Sequence, residues 1–334
     1  MECIAKKQGR YVVTSEKYSA DQMGTYPDFI IGGAMKSATS SLHTILATHD
    51  RIFIPETEIH FFSIDDPIHH PPFFFGPKGV RRYQDYERDF DRNLTWYQKF
   101  FAPARDEQVV GEDSTVYLAS PEAPARIRNF LPDVKLIFLL RNPVDRTYSH
   151  YWHRVRKGYA THRFEHELQH GPTTLHLRSL YKPQLQRYYE TFSREQIKVI
   201  LFEQFIENTQ KVVDDVCAFL DVPMSIEVAD VNDHANSSKV PRWLRLQLWL
   251  NRRSRSLSDR YGSHLPGESS AQFSARDRFR RKIYSRLKRW NLKSGSYPPM
   301  NPETRQHLSQ IYGQKNRGLG KIIDANPEGH WDCL

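Results

Sequence analysis

Lys36, Ser37, Thr39, Ser40 and Ser41 follow directly on an apolar run, Phe29-Ile30-Ile31, and a glycine pair, Gly32-Gly33. Read physically, DFIIGGAMKSATSSL at 28–42 is a short buried strand, a tight turn and a helix N-terminus. Such a turn aims several backbone N–H groups and the positive end of a helix dipole at one point, and Lys36 adds a full charge there. The result is a site for a phosphate-sized anion. It is not a Walker A loop, because no glycine stands directly before Lys36. A second candidate lies at the end of Val134–Leu140, where the apolar run stops at Arg141. Taken alone, Arg141 would be read as an ion pair with Asp145 or Asp113. Beside the Lys36 loop it is read differently, since ligands of open α/β sheets gather at the carboxyl edge of the strands. Ser149, eight residues on, adds a hydroxyl to the guanidinium fork. A metal-dependent nucleotide hydrolase or kinase would carry an acid at this strand end to hold Mg²⁺. Two anion sites without an evident metal ligand suit a nucleotide phosphorylated on two sugar positions better than a linear triphosphate.

These groups need a scaffold, and the pattern supplies one. Apolar runs at 29–31, 51–55, 109–114, 134–140 and 197–201 alternate with helical stretches at 42–48, 124–130, 144–156, 180–191 and 209–220. The spacing predicts an α/β fold, a P-loop-like central parallel β-sheet with helices on both faces, and 134–140 has the near-continuous apolarity of a strand buried on both sides. Residues 1–26 form a polar lead-in with one strand at Tyr11–Val13. The proline-rich 63–95 reads as an irregular insertion or lid, with His69-His70 as a surface pair rather than a metal site. Trp96–Phe101 reads as helical. Cys217 lies at core spacing in VVDDVCAFL, and Trp243, Leu246, Trp249 and Leu250 read as a helix face packed on the core. One domain over 1–334 is the simplest organisation.

Composition narrows the classes. A mean hydropathy of −0.67 is that of a soluble globular chain, and no window approaches the roughly 18 apolar residues that a membrane span needs. The N-terminal residues hold no continuous apolar stretch of the signal-peptide kind. Three widely spaced cysteines (Cys3, Cys217, Cys333) argue against a disulfide framework and fit a cytoplasmic setting. The net charge of +9 is concentrated in a basic helical segment at 242–290, where 14 Arg/Lys face three acids. Such a patch suits an anionic acceptor or a membrane surface.

The two phosphate motifs, in this order, resemble those of the sulfotransferase superfamily. DFIIGGAMKSATSSL is similar to its 5′-phosphosulfate loop and LIFLLRNPVDRTYSHYWH to its 3′-phosphate motif. EIHFF at 58–62, GEDSTVYL at 111–118, SLYKPQLQRYYETFSREQIKVILFEQF at 179–205 and PPMNPETRQHLSQIYGQKNRGL at 298–319 extend the resemblance over most of the chain. EIHFF is closer to the carbohydrate branch of the heparan sulfate type, with Thr57 and Ser63 departing from that pattern and Asp113 replacing a lysine found in some of its members. The resemblance implies 3′-phosphoadenosine 5′-phosphosulfate as co-substrate, no metal, and a hydroxyl-bearing acceptor. It implies Lys36 on the leaving bisphosphate, with Ser37, Ala38, Thr39, Ser40 and Ser41 holding the 5′-phosphate and Arg141 and Ser149 the 3′-phosphate. Tyr181, and Lys239 and Arg242 from the loop NDHANSSKVPRW at 232–243, are further candidate nucleotide contacts. An acceptor hydroxyl needs a base within hydrogen-bond reach. The resemblance places it on Glu58, with His60 as the second candidate. The acceptor is read as a glycan ahead of a lipid or small metabolite alcohol. A P-loop kinase and a non-catalytic nucleic-acid or polyanion binder are the competing classes; the missing G-K-[ST] and the Arg141 strand end count against the first, and the two spaced phosphate motifs against the second.

Overall fold

The structure, a computed structural model, describes residues 3–7, 10–14, 25–224, 226–228, 239–259, 261, 264–266, 271–323 and 325–334. Strands Cys3–Lys7 (β1) and Arg10–Thr14 (β2) pair antiparallel, a hairpin where the sequence suggests a single strand. The central sheet consists of Phe29–Gly33 (β3), Ile52–Phe53 (β4), Val109–Asp113 (β5), Lys135–Leu140 (β6) and Ile197–Leu201 (β7). Its order is β4-β5-β3-β6-β7 and every pairing is parallel, as expected. Helices Thr39–Leu46 (α1), Pro71–Phe74 (α2), Phe90–Gln98 (α3), Ala123–Phe130 (α4), Pro143–Lys157 (α5), Phe164–His170 (α6), Thr174–Leu177 (α7), Tyr181–Thr191 (α8), Phe202–Glu207 (α9) and Thr209–Phe219 (α10) fill the connections. After them come a ribbon of Lys239–Pro241 (β8) with Leu292–Ser294 (β9), enclosing Leu244–Ser254 (α11) and Ala275–Asn291 (α12), and then Pro302–Asn316 (α13).

The apolar alternation of β6 explains the two-sided burial. Leu136, Phe138 and Leu140 enter one core with Tyr97, Ile127, Leu185, Tyr188 and Tyr312, while Ile137 and Leu139 enter the other with Leu42, Leu46, Val213, Val216 and Cys217. β3 begins at the middle of the sheet, with β5 on one side and β6 on the other, so three neighbouring strands open at one carboxyl edge. Gly32 is required there by close approach, since a Cβ would lie 2.6 Å from the Phe138 ring.

The insertion at 63–95 is neither irregular throughout nor a free lid. Its Phe73 and Tyr86 belong to the main core, and Pro71 and Pro72 open α2 instead of breaking it. Arg82 pairs with Asp259, both buried, tying the insertion to the segment after α11. His69 and His70 are also buried, contrary to their reading as a surface pair. The α11 expectation holds in part: Leu250 is fully buried and Leu246 partly so, but Trp243 and Trp249 are exposed, and Gln247 and Asn251 are fully buried in their stead.

Candidate active site

The Lys36 loop leaves β3 through two non-glycine residues with left-handed backbone, Lys36 (φ 76°) and Ala38 (φ 69°). Few side chains tolerate this region, and such residues concentrate where a loop must hold a ligand. Ser41 and Leu42 return their N–H groups to the Ala38 carbonyl, starting α1. The Thr39 and Ser40 amides that precede them have no intrahelical acceptor and remain for an anion. Ser37 is fully buried, and its hydroxyl makes no hydrogen bond among the described residues. Thr39 and Ser41 are buried and Ser40 is exposed.

Lys36 lies among cations. Burial, then the fields of Arg156 and Arg141, bring its amine down to about 8, with Glu58 opposing the shift. Arg141 stands at the end of β6, its guanidinium 4.4 Å from the Phe202 ring centroid. The acids suggested as its partners are engaged elsewhere, Asp145 with Arg305 and Asp113 with His43. None of Lys36, Arg141 and Arg156 forms an ion pair among the described residues. Three unneutralised cations, first-turn amides and an orphaned buried hydroxyl fit a doubly phosphorylated nucleotide. Ser149 is buried two turns into α5. Asn142 caps that helix by accepting from the Val144 and Asp145 amides.

Tyr181 lies between the two anion-binding segments, beside Ser37 and the end of β6. It is fully buried and its hydroxyl donates to the Arg141 carbonyl at 2.9 Å, so it steadies the strand end. Lys239 and Arg242 are exposed at the β8 ribbon, which packs on α5; residues 232–238 of the loop before them lie outside the described residues.

Glu58 reaches the same edge from the β4–α2 connection. Thr115 donates to its Oε2 at 2.9 Å, and His60 Nε2 lies 3.5 Å from that oxygen. The two residues meet through a left-handed turn at His60 (φ 62°), not through an extended segment. Their support is a buried carboxylate, Glu112, which accepts from Ser114, Tyr117 and Tyr97 hydroxyls, each at 2.6 Å. Ser114 Oγ in turn accepts the Ile59 and His60 amides at 3.2 and 3.0 Å. Removing Glu112 leaves three buried hydroxyls without an acceptor, each costing about 1–3 kcal/mol. Glu112→Ala is therefore expected to lower the unfolding free energy by several kcal/mol, read as a lower urea midpoint, and to depress turnover with it. An unchanged midpoint would mean that water replaces the carboxylate.

Two basic residues escaped the sequence reading. Arg156 follows Ser149 by seven residues on α5, a same-face spacing that would have pointed to it. Arg178 carries no such signal. It is buried, donates to the His69 carbonyl at 3.0 Å and to Met35 Sδ at 2.8 Å, and lies in the field of Glu58. Burial, then Arg146, draws it down to about 10, so it stays charged at neutral pH. The edge thus juxtaposes a half-exposed carboxylate, a lysine and three arginines. Among the described residues no His/Cys/Asp/Glu group could hold a metal ion.

The sulfotransferase family model matches residues 27–225, which include every strand of the central sheet. The chain belongs to the sulfotransferase family. It is similar to human heparan sulfate glucosamine 3-O-sulfotransferase 5, with 25% identity over 70% of this chain and 63% of that protein. It is also similar to mouse bifunctional heparan sulfate N-deacetylase/N-sulfotransferase 4, 25% identical over 89% of this chain and 30% of that one. This sulfotransferase chain therefore spans less than two thirds of the length of either relative. Among solved structures, a sulfotransferase from Alicyclobacillus acidocaldarius matches with a TM-score of 0.59 and 28% identity, over 91% of this chain and 98% of that one. That match bears out the expected α/β sulfotransferase fold.

Proposed function

We propose that this chain transfers the sulfuryl group of 3′-phosphoadenosine 5′-phosphosulfate to a hydroxyl of a carbohydrate acceptor by in-line displacement. The observation that carries this reading is the placement of Glu58 in the field of Lys36 at the carboxyl edge of adjacent parallel strands. A base for the incoming oxygen and a cation for the departing one are the two groups the reaction demands. Glu58 takes the proton as the acceptor oxygen forms its bond to sulfur. Lys36 stabilises the electron pair left on the phosphate oxygen as the old sulfur–oxygen bond breaks. Ser37, Thr39 and Ser41 with the loop amides hold the 5′ side, while Arg141 and Ser149 hold the 3′-phosphate. Arg156 adds charge over both, and Arg178, in the field of Glu58, adds charge on the acceptor side. The two heparan sulfate relatives support a glycan acceptor, and the buried free thiols of Cys217 and Cys333 support a reducing, cytoplasmic setting.

An acceptor screen tests the reading: labelled donor is offered with glycans, lipid alcohols and aromatic alcohols. Label in glycan is the expected outcome. Label confined to a lipid extract would keep the chemistry and overturn the carbohydrate acceptor; transfer of an ATP γ-phosphate, abolished by EDTA, would overturn the reaction.

Binding also has a pH signature. With Lys36 near 8 in the free protein, half of the amines are neutral at that pH. A bound anion favours the ammonium form, so binding of adenosine 3′,5′-bisphosphate at pH 8 should take up about half a proton. Affinity should fall as pH rises above 8 and level off below 7. Calorimetry in buffers of different ionisation enthalpy reads the uptake directly, and Lys36→Met should abolish it.

A further inference from the structure

The basic segment after residue 241 plays no part in the chemistry above, and its geometry inverts that of an ordinary surface helix. α12 carries eight Arg/Lys against one acid, Asp277, which pairs with Lys78 at 2.6 Å. Asn291 is its only buried residue, and the side nearest the body is formed by Asp277, Tyr284 and Lys288. Phe279, Ile283, Leu287 and Trp290, spaced i, i+4, i+8 and i+11, form one stripe on the outside, with Phe279 65% and Trp290 58% exposed. The stripe continues onto Trp243, at the start of α11, which is 52% exposed and lies 5.2 Å from the Trp290 ring. Trp249 is exposed on the same helix. Inside, the contact between the helices is polar: Asn291 Nδ2 donates to Gln247 Oε1 at 3.1 Å, and Gln247 to Asn251 Oδ1 at 3.3 Å. At 100° per residue, Arg278, Lys282, Arg286 and Arg289 border the apolar stripe on one flank and Arg280 on the other, while Arg276 ends the stripe in the first turn.

We infer that α12, with the adjoining Trp243, docks this protein on the surface of an anionic lipid bilayer. An apolar stripe rimmed by Arg and Lys is the pattern of a helix lying in the interfacial plane, with tryptophan at headgroup depth. Among the described residues no helix is long and apolar enough to cross a membrane. A second copy is disfavoured as the occupant because two such helices would bring like charges together. The basic rim complements a surface rich in anionic lipid, and each Arg or Lys near it adds to binding. α11 is anchored to α5 by Asn251, which donates to the Val155 and Ala160 carbonyls at 2.8 and 2.9 Å. The docked face is thereby rigidly joined to the helix that carries Ser149 and Arg156. This inference is independent of which hydroxyl is sulfated.

Co-sedimentation of the full chain with vesicles tests it, using phosphatidylcholine alone and phosphatidylcholine with phosphatidylglycerol in equal parts. Binding to the anionic vesicles is expected to exceed binding to the neutral ones at least about ten-fold and to weaken with salt. The pair Phe279→Ser and Leu287→Ser should reduce it at least about ten-fold while leaving the melting temperature and adenosine bisphosphate affinity unchanged. Arg278→Glu with Arg286→Glu should reduce it as well. The inference falls if the chain ignores anionic vesicles, or if the serine pair leaves sedimentation intact. It falls equally if the serine pair converts a dimer to a monomer, or if a soluble sulfated polysaccharide binds more tightly and is indifferent to the serines.

Discussion

Replacing Lys36 by methionine should lower kcat by roughly 10²–10³-fold, ~3–4 kcal/mol, the typical effect of deleting one donor aimed at developing negative charge. The side chain is well placed for this. It is mostly buried, flanked by Arg141 and Arg156, and not neutralised by an ion pair among the described residues. Its charge is therefore poorly solvated in the free protein and gains most when an anion arrives. Methionine keeps the length and the packing, which separates the charge from the fold. Adenosine 3′,5′-bisphosphate should still bind through Arg141 and the loop amides, more weakly, and without uptake of a proton at pH 8. Arg141→Ala should show the complementary pattern, with the larger loss in bisphosphate affinity. Wild-type turnover in Lys36→Met together with wild-type affinity in Arg141→Ala would remove the donor clamp.

Glu58→Gln should divide binding from chemistry more cleanly. A positioned general base contributes ~10²–10⁴-fold, and the amide cannot accept the proton. Bisphosphate affinity measured at pH 7 should hold, because Lys36 remains charged there. The Lys36 titration itself should move below 8, since Glu58 supports the ammonium form. The acidic limb of the kcat/KM profile should flatten. His60→Ala offers the comparison: the ring sits 3.5 Å from Glu58 and is buried, so its loss should disturb the carboxylate's position and cost less. Full activity of Glu58→Gln would transfer the base to His60.

What the sequence revealed depended on range. The Lys36 loop, Arg141 at the end of β6 and the strand–helix alternation are local patterns, each complete within about fifteen residues. The Glu112 support was hidden because its partners Tyr97, Ser114 and Tyr117 arrive from α3 and from the turn after β5. A buried carboxylate looks the same in a sequence as an exposed one. Arg178 was invisible for the same reason. The tryptophans of α11 were read as core because apolar residues at helical spacing ordinarily are. The end of α5 and the chain after it override that habit: the Val155 and Ala160 carbonyls need donors, Asn251 supplies them, and Trp249, on the opposite side of the helix from Asn251, is turned outward. In the insertion, prolines suggested an irregular loop, yet two of them start α2, where their missing N–H groups cost nothing.

The buried Arg82–Asp259 pair bears on how acceptor preference can be re-engineered. Exchanging residues 63–95 alone with those of a relative would remove Arg82 and strand Asp259 as an uncompensated interior charge, a penalty of ~3–5 kcal/mol. The transplantable unit is therefore discontinuous: the insertion together with the stretch bearing Asp259. Grafts that respect this boundary can change what packs on His60, whose ring lies 4.5 Å from that of His70, while the Lys36–Arg141 clamp, mounted on other strands, stays as it is.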